Sequence, residues 1–271
     1  MPELPEVETI KRDLKNYLLG AILKEVLIVN KNFLTKNKIE LEELQNLKNS
    51  RLFELERRGK MLALIFEKRA LIFHLGLTGA LIFQPSPLFA DNKHLIFSLL
   101  FDSGILSFQD IRKFGKIWLI SKENLTNFWQ ANLGPDALEI TEEDFITLLK
   151  EGHGPIKALL LNQKKLAGLG NIYATELLFR AKIHPLRKAE SLTPEERRTL
   201  YREMKALLQE AIALRGSSIR DYVDGLGQKG LFQERHLVYG KKGRPCPLCQ
   251  TPLEYIPLQG RGTTFCPQCQ K

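Results

Sequence analysis

All four cysteines of this 271-residue chain fall at or beyond position 246. Cys246 and Cys249 form one C-x-x-C pair and Cys266 and Cys269 another, with sixteen residues between the pairs. No other feature constrains the fold as tightly, because each short pair turns two sulfurs towards one tetrahedral ion. Two disulfides are the alternative use of four thiols. The first thirty residues carry acidic groups where a secretion signal would be apolar, so a reducing, cytoplasmic compartment and one structural Zn2+ are expected. Four thiolates close the shell and leave no open position for chemistry.

Charge narrows the partners. Lys and Arg number 40 against 31 Asp and Glu, a net +9. Such an excess suits a polyanion, with nucleic acid ahead of an anionic membrane, although a merely solvated basic surface has the same composition. Around the cysteines, Lys241, Lys242, Arg244, Arg261 and Lys271 face a single acid, Glu254. No apolar run is long enough to span a membrane. Hydrophobic residues at 44% supply a real core.

Periodicity divides the chain. Val7, Ile10, Leu14 and Leu18 repeat at helical steps and stop at Gly20. Short apolar stretches follow at 61–66, 71–75, 80–83, 94–101, 105–108 and 116–121, separated by turn-like pieces, the rhythm of antiparallel strands in a sandwich or barrel. Gly134-Pro135 can continue neither helix nor strand and reads as a hinge. Beyond it, short helices are expected from Pro155 and after Asn171, with the compact double turn KKLAGLGN between them. Thr193, Pro194 and Glu196 form a capping box for a helix whose face is Leu200, Met204, Leu207, Leu208 and Ala211. The expected class is α+β multidomain. It comprises an N-terminal β-rich domain (1–130), a hinge (131–138), a helical domain (139–235) and a four-cysteine zinc finger (236–271).

The opening MPELPEVET is chemically unusual. With Met1 removed, Pro2 carries a secondary α-amine, and α-amines titrate near 8, far below lysine. Attack of such an amine on a sugar C1′ gives an iminium ion, which withdraws electrons without needing protonation. Glu3 and Glu6 lie close enough in sequence to move protons beside it. A plainer reading makes these residues an ordinary helix start, and Glu8 is read as a surface or helix-start charge.

The run at 2–9 resembles the N-terminal signature of bacterial formamidopyrimidine-DNA glycosylase. RRGK (57–60), HLGLTG (74–79), DIRKFG (110–115), AGLGNIY (167–173), KIHP (182–185) and GRGTTFCPQC (260–269) follow in that family's order. The resemblance runs nearly end to end. It implies a two-sheet β-sandwich with flanking helices, joined by a hinge to a helix–two-turn–helix domain with a zinc finger. It also implies a monomeric, bifunctional glycosylase and abasic-site lyase that acts on oxidised purines in damaged double-stranded DNA and cleaves by β,δ-elimination. A cell-interior enzyme associated with the nucleoid is the corresponding location. Endonuclease VIII, with oxidised pyrimidines as substrate, and a catalytically silent zinc-finger DNA-binding protein are the alternatives.

By the same resemblance Pro2 is the nucleophile, Glu3 its acid/base partner and Glu6 a support. Lys60 and Arg261 serve the elimination steps or grip phosphate. His74 and Asn171 hold phosphates, Asn171 also fitting the N-cap of its helix. His94 and Lys157 match further DNA contacts. The stretch around His94, FADNKHL, is shorter than the family's usual loop, and EGHG stands before Ile156-Lys157 where a lysine cluster is common. Glycosylases extrude the target base, and Leu77, Arg112 and Phe114 match the trio that fills the gap. Leu77 replaces the usual methionine with an apolar residue of similar volume. The glycine-rich 216–230 stretch matches the loop that closes over the everted base, with Arg220 as its contact.

Overall fold

In the computed structural model, which describes residues 1–28, 30–85 and 93–271, the chain divides into two units. One comprises Met1–Ala131 and Leu214–Gln233, the other Asn132–Ala213 and Glu234–Lys271. Residues 89–92 of FADNKHL lie outside the described residues.

The first unit opens with α1 (Leu4–Leu18), β1 (Leu23–Ile28), α2 (Lys31–Lys36) and α3 (Leu41–Gln45). Strands β2 (Leu52–Arg58), β3 (Met61–Phe66), β4 (Arg69–His74), β5 (Gly79–Gln84), β6 (Leu95–Phe101), β7 (Gly104–Asp110) and β8 (Lys116–Ser121) follow. They form two four-stranded antiparallel sheets, ordered β1-β6-β7-β5 and β2-β3-β4-β8. Val7, Ile10, Leu14 and Leu18 of α1 join Leu62, Leu64, Leu71 and Phe73 of one sheet and Phe97, Leu99, Leu106 and Phe108 of the other in one buried cluster. The two-sheet sandwich is therefore present, and burying these apolar side chains stabilises it by about 1.5–3 kcal/mol each. Strands β1 and β2 are not legible from apolar runs. In β2 an arginine, Arg57, occupies a buried position.

The helix α4 (Leu125–Asn132) leads to the second unit, which holds α5 (Glu142–Lys150), α6 (Ile156–Leu161), α7 (Asn171–Arg180) and α8 (Pro194–Ala213). The capping box at Thr193 forms as the sequence predicts: Glu196 N donates to Thr193 Oγ1 at 3.2 Å, and Thr193 N to Glu196 Oε2 at 2.7 Å. Between α6 and α7, Gln163 holds the double turn, donating to the Leu161 and Leu169 carbonyls and accepting from Gly168 N. The 133–138 segment is well bonded within this unit. Gly134 N donates to Gln163 O, Ala167 N to Pro135 O, and Ala137 N to Ala167 O.

The cysteine segment belongs to the same unit. Its hairpin pairs β9 (Glu254–Leu258) with β10 (Arg261–Phe265). Gln259 and Gly260 both have positive φ, at 49° and 70°. A two-residue turn of that hand matches the strand twist and presents Arg261 at the start of β10. Phe179 of α7 packs with Val238, Cys246, Leu253 and Cys266.

Sequence predicts one domain over 139–235, but the chain returns to the first unit at Leu214. Polar bonds across some two hundred residues account for this: Ser217 N donates to Glu6 Oε1 and Arg215 Nη2 to Asp13 Oδ2.

Candidate active site

Helix α1 starts at Leu4 with Glu3 as its N-cap, and Pro5 sits in the first turn, where the missing N–H costs nothing. Glu6 Oε2 accepts from Glu3 N at 2.7 Å, satisfying a donor at the helix entrance. Its other oxygen accepts from Ser217 N at 2.8 Å. Gly216 has φ +79°, and a Cβ there would meet Glu6 Oε1 at 2.7 Å, so only glycine fits against the carboxylate. Glu6 thus ties the start of α1 to the root of the 216–230 loop.

Pro2, Glu3, Glu6 and Lys60 are all buried, at 4%, 1% and 5% exposure for the three ionisable groups. Lys60 is therefore no ordinary surface cation. The described chain retains Met1, so the free amine is that of Met1 and the Pro2 nitrogen is an amide. Burial holds this amine below its ordinary value; Glu3, Glu6 and Asp221 oppose the shift and Lys60 adds to it. The amine, Glu3, Glu6, Lys60 and Asp221 of the loop consequently share one electrostatic neighbourhood. A depressed amine is more nucleophilic at neutral pH, because more of it is unprotonated.

His74 closes β4. Its Nδ1 accepts from Gly76 N at 3.3 Å, and burial, helped by Lys60 and Lys116, pushes its pKa down to about 4. At neutral pH the ring is uncharged with its proton on Nε2, and it can donate a hydrogen bond to a phosphate without carrying charge.

The predicted wedge residues share one structural support. Leu77, Arg112 and Phe114 are exposed, and the Arg112 guanidinium lies 4.6 Å from the centroid of the Phe114 ring. Asp110, fully buried, accepts from Thr78 Oγ1 at 2.6 Å, from Arg112 N at 3.2 Å and from Gly115 N at 2.7 Å. One carboxylate thereby fixes both wedge loops. At Gly76 (φ +63°) a Cβ would meet Gly115 N and the Phe114 carbonyl at 2.8 Å, so the approach of the loops requires glycine. Asp110 and Thr78 lie inside the quoted motifs, yet their roles cannot be read from spacing. Ile111, 51% exposed, is a further apolar residue in the wedge segment that the sequence leaves unassigned. His94 accepts from Asp110 N through its carbonyl, and its ring is half-buried. Arg220 lies at the exposed tip of its loop.

Three expectations are corrected. Glu8 is not a surface charge but 5% exposed, paired with Arg57 at 2.8 Å, Arg12 at 2.9 Å and Lys11 at 3.3 Å. Burial would raise its carboxyl, but Arg57, Arg12 and Lys11 outweigh that and hold it below the usual range. Lys157, expected at the surface as a DNA contact, is an interior side chain. It is fully buried, and Nζ donates to Asn171 Oδ1, Thr175 Oγ1 and Thr263 Oγ1 at 2.7, 2.9 and 2.7 Å, which uses all three protons. Asn171 is the first residue of α7 rather than its cap, which is Gly170. Its amide spans from Lys157 to the Gly262 carbonyl, 3.0 Å away, beside Arg261.

The four sulfurs lie within 4.8 Å of one another. The separations Cys246–Cys269 and Cys249–Cys266 are 3.9 and 3.5 Å. Disulfides need about 2.05 Å, whereas a tetrahedron with metal–sulfur bonds of about 2.3 Å has edges of about 3.8 Å. Leu248 N and Cys269 N donate to the Cys246 and Cys266 sulfurs, as expected of thiolates. Donation of its proton to the neighbouring cysteine sulfurs, Cys249 above all, together with burial pushes Cys269 up to about 12, so a fully deprotonated set needs a cation. The residues fit a tetrahedral thiophilic metal.

Comparison with known proteins shows the family. The formamidopyrimidine-DNA glycosylase N-terminal domain matches residues 1–117, and the formamidopyrimidine-DNA glycosylase H2TH domain matches 133–223. A formamidopyrimidine-DNA glycosylase of Thermus thermophilus is 41% identical, covering 100% of this chain and 98% of the relative. Lactococcus lactis Fpg superposes with a TM-score of 0.90 at full coverage of both chains. It does so as a point mutant bound to Fapy-dG DNA, 35% identical, and bound to abasic-site DNA, 34% identical. The chain belongs to the formamidopyrimidine-DNA glycosylase family.

Proposed function

We propose that this protein is a base-excision repair enzyme that removes oxidised purines from duplex DNA and then cleaves the strand at the abasic site. The observation that carries the chemistry is the setting of the N-terminus: Pro2 is buried with Glu3, Glu6 and Lys60, and burial depresses the Met1 amine one residue away. The relatives' names and their complexes with Fapy-dG and abasic DNA support the substrate class.

In this mechanism loss of Met1 transfers the free amine to Pro2. The Pro2 nitrogen attacks C1′ as the damaged base departs with its bonding electrons, and Glu3 supplies a proton to the opening sugar oxygen. The resulting iminium accepts the electrons released when a proton leaves C2′, which breaks the C3′–O bond. A second elimination breaks the C5′–O bond. Lys60 and Arg261 carry protons or hold phosphate during these steps, and Glu6 orients α1 and the loop root. His74, Asn171 and His94 hold the backbone. Leu77, Arg112 and Phe114 fill the gap left by the extruded base, and the 216–230 loop with Arg220 covers that base. Zn2+ on Cys246, Cys249, Cys266 and Cys269 would fix the hairpin that presents Arg261, a structural role only. Among the described residues no helix is long and apolar enough to cross a membrane.

Borohydride trapping on a duplex with 8-oxoguanine opposite cytosine tests this directly. A covalent adduct mapping to Pro2 is expected. Trapping only on an oxidised-pyrimidine duplex would reassign the substrate, and DNA binding without any adduct would remove the enzymatic reading.

A further inference from the structure

Arg215 stands two residues beyond the end of α8 in the left-handed region, with φ +61°. That position ordinarily belongs to glycine, since a Cβ is disfavoured there. An arginine held in such a conformation needs compensating contacts, and these are on hand. Its Nη2 donates to Asp13 Oδ2 of α1 at 2.6 Å, and its Nε to Asp224 Oδ2 at 2.7 Å. Asp224 is fully buried, and its second oxygen accepts from Leu226 N at 2.9 Å and Gln228 N at 2.8 Å. Asp13 also accepts from Gly225 N at 3.2 Å. The Arg215 carbonyl accepts from Tyr222 Oη at 3.1 Å.

These bonds hold one half of the glycine-rich loop. Phe83 N, on the edge strand β5, donates to Gly225 O at 2.8 Å, so the 222–230 segment is stitched to the sheet as well as to α1. The 216–218 root is held through Glu6 to Ser217 N and through Gln233 to Ser218 N, and the Ser218 hydroxyl joins it to the other half, donating to Tyr222 O and accepting from Gly230 N at 2.9 Å each. Residues 219–221 between the two anchored stretches are exposed.

The geometry points to Arg215 as a positioning residue for base removal, clamping the 222–230 half of the loop onto the same helix that carries the nucleophile, so that 219–221 alone adjusts over an extruded base. This rests on reading the 216–230 loop as the cover for that base. Arg215 touches neither sugar nor phosphate in this scheme. Its contribution is to keep the loop from sampling positions in which the base is not gripped, and it acts on base release rather than on the elimination steps.

The test uses the full-length, zinc-loaded enzyme without Met1. Two single-turnover rates are measured for each variant: base release from an 8-oxoguanine duplex, and cleavage of a duplex with a preformed abasic site. Arg215→Met is expected to slow base release by about tenfold or more and to change abasic cleavage by less than about twofold. Arg215→Lys, which keeps a cation but loses the two-pronged grip, should recover part of the difference. Asp13→Asn offers the same selectivity through the other partner and serves if Arg215→Met does not fold. An equal fall in both rates would make Arg215 a structural residue and overturn the proposal, as would no fall in base release. Ile219→Gly and Arg220→Ala separate this from the reading it rests on. If the tip variants impair base release selectively and the Arg215 and Asp13 variants do not, the clamp is refuted and the cover stands. If no loop variant acts selectively, the cover itself is refuted, and the clamp with it.

Discussion

Among the places where ionisable groups are buried in this molecule, two show opposite consequences. In the second unit, Lys157 and Glu176 are fully buried and each is hydrogen-bonded several times. Lys157 places its three protons on Asn171, Thr175 and Thr263, and Glu176 accepts from the backbone of Leu237, Val238 and Tyr239 at 2.8, 3.0 and 2.7 Å. Such groups fasten one segment to another. At the start of α1 burial moves equilibria instead. The amine is depressed, and His74 is neutral with a donor left over. Burial of a charge is therefore poor evidence of chemistry. A proton equilibrium displaced from its ordinary value within a cluster of ionisable groups is better evidence.

The largest effect should come from denying the first region its amine. An N-terminal extension that keeps Pro2 in an amide should lower abasic-site cleavage by roughly a thousandfold or more and abolish borohydride trapping. DNA binding that depends on the cysteine cluster should persist. Residual trapping at another residue would break the comparison, because a second group would then be doing the proline's work.

The second region should fail differently. Lys157→Met leaves buried acceptors without a partner and should cost about 2–4 kcal/mol in denaturant unfolding. Binding should weaken through misplaced Asn171 and Arg261. The slope of log affinity against log salt separates the cases: Arg112→Ala should reduce it by about 1 if Arg112 neutralises a phosphate, and Lys157→Met should leave it unchanged. A reduced slope for Lys157→Met would restore it as a direct contact.

These two lysines, Lys60 and Lys157, also mark how far the sequence can be read. Lys60 ends the RRGK run and Lys157 follows EGHG, outside the quoted motifs, and nothing local tells what each will touch. The partners that settle Lys157, Thr175 and Thr263, lie 18 and 106 residues away. Glu8 is misread for the same reason, since Arg57 comes from a strand 49 residues on. Strand β2 escapes notice because that arginine, pointing inward, hides the alternation that would reveal it. Features whose cause is local are legible: the apolar stripe of α1, the strand runs from 61 to 121, the Thr193 cap and the paired cysteines. The 216–230 loop divides along the same line. Its glycines announce a loop, whereas its attachment to α1 through Asp13 depends on contacts that no local pattern encodes.

A pH series probes the equilibria directly. His74 and His236 are both pushed down to about 4, His236 by burial and by Lys241. A histidine depressed in the folded state contributes its full stability above the unfolded value of about 6.5 and loses it as pH falls towards 4. The melting midpoint should drop steadily over that window, and Glu8, held low by its arginines, should add its loss only at the acidic end. Ring resonances of both histidines should stay flat from pH 8 to about 5. A transition near 6.5 for His74 would mean that it meets phosphate as a cation, which would shrink the contrast between the regions.

The smallest effect belongs to a charged group in neither buried set. Thr193 and Glu196 cap α8 at an exposed position, and Glu196 is also held by Arg187 at 2.7 Å. Thr193→Ala removes one bond of the box and should cost about 1 kcal/mol, or about 2–4 °C in the melting midpoint. Base release and abasic cleavage should be unchanged. Glu196→Ala removes the reciprocal bond and the Arg187 pair together and should cost more, although exposure limits the ion pair's share to about 0.2–1 kcal/mol. If Thr193→Ala instead slowed base release as much as Arg215→Met, global stability alone would explain the losses assigned to position. The distinction between fastening groups and reacting groups would then rest on the amine alone.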